Sequence, residues 1–125
     1  MEKPIDKWTV NDMLAYISAR HLEVYGVEYR PYRSWSAERG LIGGLIGTRQ
    51  KPRKYEPELV KTFIDECFRQ HKGTREYPGV SFSWLWQFKT QIWQRLEAES
   101  RRKEQAEARR NHQPQQPIED ITEWL

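Results

Sequence analysis

Pairs of apolar residues that recur every four positions constrain the fold of this chain more than any other feature. One stretch contains Leu41/Ile42 and Leu45/Ile46, and a second contains Leu59/Val60, Phe63/Ile64 and Cys67/Phe68. A repeat close to 3.6 residues keeps one face of each stretch apolar, which is typical of a helix. We therefore expect two amphipathic helices at the centre of the chain.

Two further stretches predict helices on either side of this central pair. Thr9 is a favourable N-cap for a helix that continues to about Tyr25. Another helix is expected to begin after Ser81 or Ser83 and to continue past Leu96. Because no apolar pattern alternates strictly, the sequence predicts an all-α fold. We expect a compact bundle of about four helices with a long C-terminal helix and a flexible acidic tail.

Charge divides the chain into three segments. We expect a helical domain over residues 1–98, a solvated helical extension over 99–112, and a linker with an acidic, apolar tail over 113–125. The first 110 residues hold all 21 lysines and arginines and 15 of the 18 acidic residues, so their formal charge is +6. The remaining residues carry −3. A basic body favours anionic partners, and an acidic tail indicates a separate role.

The segment between the two central helices, TRQKPRK, is strongly basic. It contains four cations and no acid, namely Arg49, Lys51, Arg53 and Lys54. Pro52 and Pro57 keep it out of a regular helix. With Arg30 and Arg33 as outer members, these cations are predicted to form a nucleic-acid-binding face. The alternative is a solvated loop that is basic for solubility.

The preceding segment, VEYRPYRSW, alternates aromatic residues with arginines. Tyr29, Tyr32 and Trp35 lie close to Arg30 and Arg33 along the chain. Aromatic rings can stack on bases while arginines neutralise phosphate, as in proteins that bind single strands. The alternative is that the rings cover the edge of the core and the arginines are solvated.

Three glycines, Gly40, Gly43 and Gly44, fall inside the second predicted helix. Each would cost up to about 1 kcal/mol relative to alanine in a helix interior. We expect them to permit close approach of a neighbouring helix, with a phosphate backbone as the alternative. A nucleotide-binding P-loop is not predicted, because Gly47 is followed by Thr48 and an arginine.

No signature of an enzyme or a cofactor site is present in the sequence. It contains no nucleophile elbow and no HExxH pattern, and the adjacent Asp65 and Glu66 would point about 100° apart on a helix. Cys67 lies on an apolar stripe and is expected to be a buried core residue rather than a zinc ligand. We therefore expect a non-enzymatic protein with no metal and no cofactor.

Residues 117–125, PIEDITEWL, combine three acids with apolar residues at helix-like spacing. The apolar residues are Ile118, Ile121, Trp124 and Leu125. They are predicted to bind a protein partner, because tryptophan often carries interface energy. Alternatively, the tail folds back on the basic body and competes with DNA, or packs on the core of its own chain.

Compartment is indicated by what the sequence lacks. No apolar run approaches the roughly 18 residues of a membrane span. No secretory signal opens the chain, and its single cysteine cannot form an internal disulfide. We therefore expect a cytoplasmic protein that does not enter a membrane.

A series of residues follows an order found elsewhere: Tyr25-Gly26, Tyr29, Pro31, Trp35, Glu38, Leu41-Ile42, Leu45-Ile46, Leu59-Val60, Phe63-Ile64-Asp65, Phe68, Pro78-Gly79 and Ser81-Phe82. This order resembles a small helical module of replication-associated proteins from phages and mobile elements of Gram-positive bacteria. The resemblance covers roughly residues 10–96. In that family the module often follows a winged helix-turn-helix domain, which these 125 residues do not contain. The resemblance implies a role in DNA replication or recombination inside a bacterial host cell.

Two functions follow as hypotheses. The first is a non-enzymatic accessory protein of phage or mobile-element DNA replication or recombination, which binds DNA through the basic loop and a protein partner through the tail. The alternative is a small adaptor or inhibitor that binds a host or element-encoded protein without contacting nucleic acid. Salt dependence distinguishes them, because phosphate contacts weaken steeply as salt rises.

Overall fold

The computed structural model describes residues 3–112, which fold into helices joined by loops and include no β-strand. A 3₁₀ turn at Ile5–Lys7 precedes five helices: α1 Val10–Tyr25, α2 Trp35–Ile46, α3 Pro57–Gln70, α4 Phe82–Phe88 and α5 Thr90–His112. The predicted all-α class is confirmed for this part of the chain. The number of helices differs, because the last predicted helix is divided into α4 and α5.

The break between α4 and α5 lies at Lys89, whose backbone is not helical (φ −115°, ψ 35°). In a continuous helix Trp86 and Trp93 would lie about 10 Å apart along the axis. The break instead brings their ring centroids to 4.8 Å, and both rings contact Phe63 edge-on. Packing of three aromatic rings therefore explains why one helical pattern forms two helices.

Side-chain caps begin three of the helices. The Thr9 hydroxyl accepts the Asp12 amide at 3.3 Å, and the Asp12 carboxylate accepts the Thr9 amide at 2.9 Å, which forms a capping box. Hydrogen bonds from Lys3 and from the Thr9 backbone lower the pKa of Asp12 to about 2. Ser34 and Ser81 cap α2 and α4 by accepting amides at 3.0 and 3.2 Å.

The core forms where α1, α2, α3 and α4 converge, and the first turns of α5 close one side of it. Its fully buried members come from four helices: Met13, Ile17, Ile42, Val60, Phe63, Ile64, Cys67 and Leu85. Burial of Cys67 confirms its predicted role as a core residue, and it raises the pKa of the thiol to about 12.

A buried carboxylate ties α2 to α4. Glu38 is 0% exposed, and its carboxylate accepts hydrogen bonds from the hydroxyls of Tyr29 and Ser83 and from the Ser83 amide at 3.1 Å. The Phe82 amide donates to the Tyr29 hydroxyl at 2.8 Å. These hydrogen bonds satisfy the carboxylate of Glu38 and the amides of Phe82 and Ser83 at the start of α4. Burial, and then the contact with Glu38, raise the pKa of Tyr29.

The glycines of α2 differ from the prediction. A Cβ at Gly43 would lie 3.0 Å from a methyl group of Thr48, in the loop after α2, and in ordinary contact with Val10 of α1 at 3.7 Å. Space is therefore limited at this position by the loop more than by the neighbouring helix. At Gly40 and Gly44 a Cβ would meet no atom within 4 Å. The prediction is therefore wrong for these two residues, because they lie on the side of α2 that no element within residues 3–112 covers.

The C-terminal half of α5 leaves the core. Residues 101–111 are all exposed. Tyr55, which precedes α3, packs edge-on against Trp93 of α5 with ring centroids 4.9 Å apart, so α5 passes the N-terminal end of α3 before it extends outwards. Within the described residues, no helix combines the length and the apolar character that crossing a membrane requires.

Candidate functional site

The loop between α2 and α3 has a defined shape. Gly47 has φ +90°, a conformation that L side chains rarely adopt, and a Cβ there would lie 2.9 Å from the backbone of Arg53. The Thr48 hydroxyl accepts the amides of Gln50 and Lys51, each at 3.1 Å. The Thr48 amide donates to the Lys51 carbonyl at 2.9 Å. The loop therefore presents its cations from a backbone that is held by hydrogen bonds.

Arg53 holds this loop against the rest of the protein. Its Nε donates to the Ile46 carbonyl at 2.9 Å, and its Nη2 donates to the Asp6 carbonyl at 3.2 Å. Its Nη1 donates to the Glu56 carboxylate at 3.3 Å. The guanidinium thus bonds a carbonyl at the negative C-terminal end of α2 and links that end to the N-terminal segment. Most of its donor capacity is used inside the protein.

The loop forms one wall of a groove of about 750 Å³. Residues 7–11 and Arg39 of α2 also line it. Five cations surround this space, namely Lys7, Arg39, Arg49, Lys51 and Arg53, and none of the described residues that line it is acidic. We call it the basic groove.

Four of the five cations have no ion-pair partner among residues 3–112. Within residues 3–112, no carboxylate forms an ion pair with Lys7, Arg39, Arg49 or Lys51. All four side chains are exposed. Like charges around one concavity raise the local positive potential and attract anions.

The start of α1 and several apolar side chains complete the basic groove. Thr9, Val10 and Asn11 line it, while the capping box with Asp12 already places a carboxylate at the positive end of the α1 dipole. Apolar contacts are offered by three further lining residues: Trp8, Val10 and Pro52. The groove therefore suits an extended anion that also has apolar parts.

The other cations of the predicted nucleic-acid face lie elsewhere. Arg33 precedes α2 and Arg49 follows it, so the 12 residues of α2, about 18 Å, separate them. Arg30 lines a different groove. Lys54 is exposed but does not line the basic groove.

Lys7 and Arg39 were absent from the predicted set, although both line the basic groove. They are distant from the loop along the chain and reach it only through packing. The spacing of Arg39 and Ile46, seven residues apart on one helix face, was the one local signal for Arg39. No local pattern pointed to Lys7.

A second, larger groove of about 980 Å³ lies at the other end of α1. Its lining includes two strongly exposed aromatic residues, Tyr32 at 67% and Tyr77 at 73% exposure, together with Val27, Pro78 and Trp84. Its two cations, Arg30 and Lys72, are balanced by two acids, Glu28 and Glu76. Burial lowers the pKa of His71, which also lines it, so this ring adds no charge at pH 7. We call it the aromatic groove.

The back of the aromatic groove is built on His21. The Val80 amide donates to its Nε2 at 3.1 Å, so Nδ1 carries the proton and donates to the Val27 carbonyl at 2.9 Å. A Cβ at Gly79 would lie 2.4 Å from the His21 ring. A glycine is therefore required for the Pro78–Gly79 segment to cross this histidine.

The aromatic residues near Arg30 and Arg33 have different roles. Tyr29 is buried and bonds Glu38, as expected of a core residue. Tyr32 is exposed in the aromatic groove, and Trp35 is 45% exposed and packs against Tyr29. Of these three aromatic residues, Tyr32 is therefore the most exposed, and it lines the aromatic groove together with Arg30.

Within the part of the chain that the structure describes, no group of three or more histidine, cysteine and acidic residues is placed to hold a metal ion. Asp65 accepts from Tyr16 and from Lys61 at 3.1 Å. Glu66 instead pairs with Arg69. The two adjacent acids thus face different partners, as their helical spacing predicted.

The predicted partner-binding residues, Ile118, Ile121, Trp124 and Leu125, lie outside the described residues. This chain was compared with protein-family models, with curated proteins and with solved structures, and none of the three comparisons found a match.

Proposed function

We propose that this protein binds the phosphate backbone of nucleic acid through the basic groove. The observation that carries the proposal is the convergence of five cations from three separate parts of the chain on one concavity without an acidic residue in its described lining. Lysine and arginine side chains that neutralise phosphates supply most of the affinity in sequence-independent binding. Asn11 and Thr48 add neutral hydrogen-bonding groups at the same surface.

The spread of the cations favours a polymer over a single small anion. Arg39 lies about 10 Å along α2 from Ile46, and the loop cations follow beyond that helix. This span exceeds one phosphate group, so successive phosphates of a strand can contact different cations. Backbone contacts of this kind position a protein on nucleic acid without reading its sequence.

The biological setting that we propose comes from the resemblance to the replication-associated module. In this setting the chain is a non-enzymatic accessory protein of phage or mobile-element DNA replication or recombination, located in the cytoplasm of a bacterial host. DNA is the expected ligand of the basic groove. A protein partner is the expected ligand of Ile118, Ile121, Trp124 and Leu125.

The test is a salt titration of binding to a fluorescently labelled DNA duplex, followed by anisotropy. Each lost phosphate contact lowers the slope of log K against log salt by about 0.9. The variant Lys7→Ala/Arg39→Ala/Arg49→Ala/Lys51→Ala should therefore flatten the slope by about 3 to 4 units. Circular dichroism should show an unchanged helical spectrum, because all four side chains are exposed.

A matched control removes the same charge elsewhere. Arg30→Ala/Arg33→Ala/Lys72→Ala/Arg75→Ala also deletes four exposed cations, but none of them lines the basic groove. We expect this variant to keep nearly the full slope. An equal decrease in slope in both variants would show that net charge alone governs DNA binding. An unchanged slope in the basic-groove variant would exclude the basic groove as the DNA-binding site.

The second candidate function is a protein adaptor that uses the aromatic groove. It is favoured by the exposure of Tyr32 and Tyr77 in a groove whose charges balance. Tyrosine is enriched at the energetic centres of protein interfaces. The same salt titration separates the two candidates, because binding through such a surface changes little with salt.

A further inference from the structure

We propose that the basic groove also binds an acidic segment of its own chain, residues 117–125, which competes there with nucleic acid. The competition rests on the proposed function, whereas docking of the segment does not. The proposal adds a peptide ligand, and a form of regulation, to a site that otherwise takes phosphates.

Charge complementarity is the first argument. The segment contains Glu119, Asp120 and Glu123, and no lysine or arginine occurs after Arg110. The basic groove presents only cations among its charged lining residues. The aromatic groove has two cations and two acids, so it offers an acidic segment no comparable attraction.

Apolar complementarity is the second argument. Between its acids the segment carries four apolar residues: Ile118, Ile121, Trp124 and Leu125. Beside its cations the basic groove offers Trp8, Val10 and Pro52. A phosphate backbone uses the cations and the polar groups, whereas this segment can also use the apolar contacts.

The third argument is the distance that residues 113–125 can span. Tyr55, which is two residues from Arg53 of the basic groove, packs edge-on against Trp93 of α5, with ring centroids 4.9 Å apart. From Trp93 to His112 the helix α5 advances about 28 Å. The 7 to 11 residues from His112 to Glu119 and Glu123 span up to about 24 to 38 Å when extended, so the second half of the segment can return to the groove. The aromatic groove lies at the far end of α3, a further 21 Å or so away.

The docked segment would lower the affinity for nucleic acid in proportion to its occupancy. If it fills the groove between two thirds and nine tenths of the time, the dissociation constant for DNA rises about threefold to tenfold. Nucleic acid that enters the groove displaces the segment and exposes Trp124 and its apolar neighbours. Binding of DNA and binding of a protein partner would then be coupled.

Docking is tested without DNA in the full chain. Thr122→Cys introduces a thiol for a nitroxide label, while Cys67 is buried and its raised pKa keeps it unreactive. We expect the label to broaden the amide signals of residues 7–11 and 48–53 and to leave those of residues 74–77 sharp. In the same labelled chain, Glu119→Gln/Asp120→Asn/Glu123→Gln should abolish the broadening.

Three results would overturn docking within one chain. The first is sharp amide signals throughout residues 7–11 and 48–53. The second is stronger broadening at residues 74–77 than at those two segments. The third is broadening that is equally strong when the nitroxide label and the isotope are on different molecules.

Competition is tested by DNA affinity at low salt. Neutralising Glu119, Asp120 and Glu123 should tighten duplex binding about threefold to tenfold. The control Glu99→Gln/Glu104→Gln/Glu107→Gln makes the same change in net charge at exposed residues that line neither groove. An equal gain in the control would refute competition. If neither protein binds DNA, the proposed function fails, while the label experiment still decides whether the segment docks.

Discussion

At the scale of the residue, Glu38 shows how one polar side chain can position a helix. It is fully buried, and three hydrogen bonds from Tyr29 and Ser83 replace the water it has lost. No cation contacts it among the described residues. The hydroxyls and amides around α4 therefore carry the whole compensation for its burial.

Removal of this carboxylate should destabilise the protein strongly. Glu38→Ala leaves the Tyr29 and Ser83 donors buried without an acceptor, so we expect a loss of about 3 kcal/mol or more in the free energy of unfolding. Glu38→Gln keeps an acceptor and should lose less. Urea unfolding measures both, with the exposed Glu28→Ala as a control expected within about 0.5 kcal/mol of the parent. A loss below 1 kcal/mol in Glu38→Ala would contradict this role.

At the scale of the element, α2 contains glycines with unlike surroundings. Gly43 faces Thr48 and Val10, whereas a Cβ at Gly44 would meet open space. The helical conformation at Gly44 is therefore maintained by the packing of the other side chains of α2, such as Ile42, Leu45 and Ile46, which are buried.

Alanine should consequently have different effects at these neighbouring positions. Gly44→Ala should stabilise the protein by up to about 1 kcal/mol, because it only reduces the backbone entropy lost on folding. Gly43→Ala should gain less or destabilise, since its methyl would lie 3.0 Å from Thr48. Chemical unfolding midpoints of the two variants provide the comparison. A larger gain for Gly43→Ala would show that the Thr48 contact is not restrictive.

At the scale of the whole molecule, the two grooves are separated by the length of α1. Val10 lines the basic groove, and His21, eleven residues later, lines the aromatic groove, so about 16 Å of helix lies between them. The proposed nucleic-acid site and the proposed protein-binding surface therefore lie at opposite ends of α1.

The distance between the two grooves predicts that substitutions in them act independently on DNA binding. Arg49→Ala should weaken duplex binding and Tyr77→Ala should not, and the double variant should equal their sum within about 0.5 kcal/mol. Fluorescence anisotropy with duplex and with single-stranded DNA measures the affinities of the parent, the two single variants and the double variant. A coupling above about 1 kcal/mol with single-stranded DNA would mean that one strand spans both grooves and stacks on Tyr77.

Local features of the sequence determined where the helices form. The four-residue repeat of apolar pairs and the capping residues Thr9 and Ser34 act within one or two turns, so they can be recognised without knowledge of the fold. The cations Arg49, Lys51 and Arg53 were recognised for the same reason, since they stand together in one loop.

Only the tertiary structure decided which of these features meet. The break at Lys89 depends on rings from two helices that pack on Phe63 of a third, and a single helical pattern carries no sign of it. Lys7 and Arg39 join the basic groove, and Arg33 does not, because α2 places its two ends about 18 Å apart. Helix formation depends on neighbours in the chain, whereas a groove depends on contacts between residues that are distant in the chain.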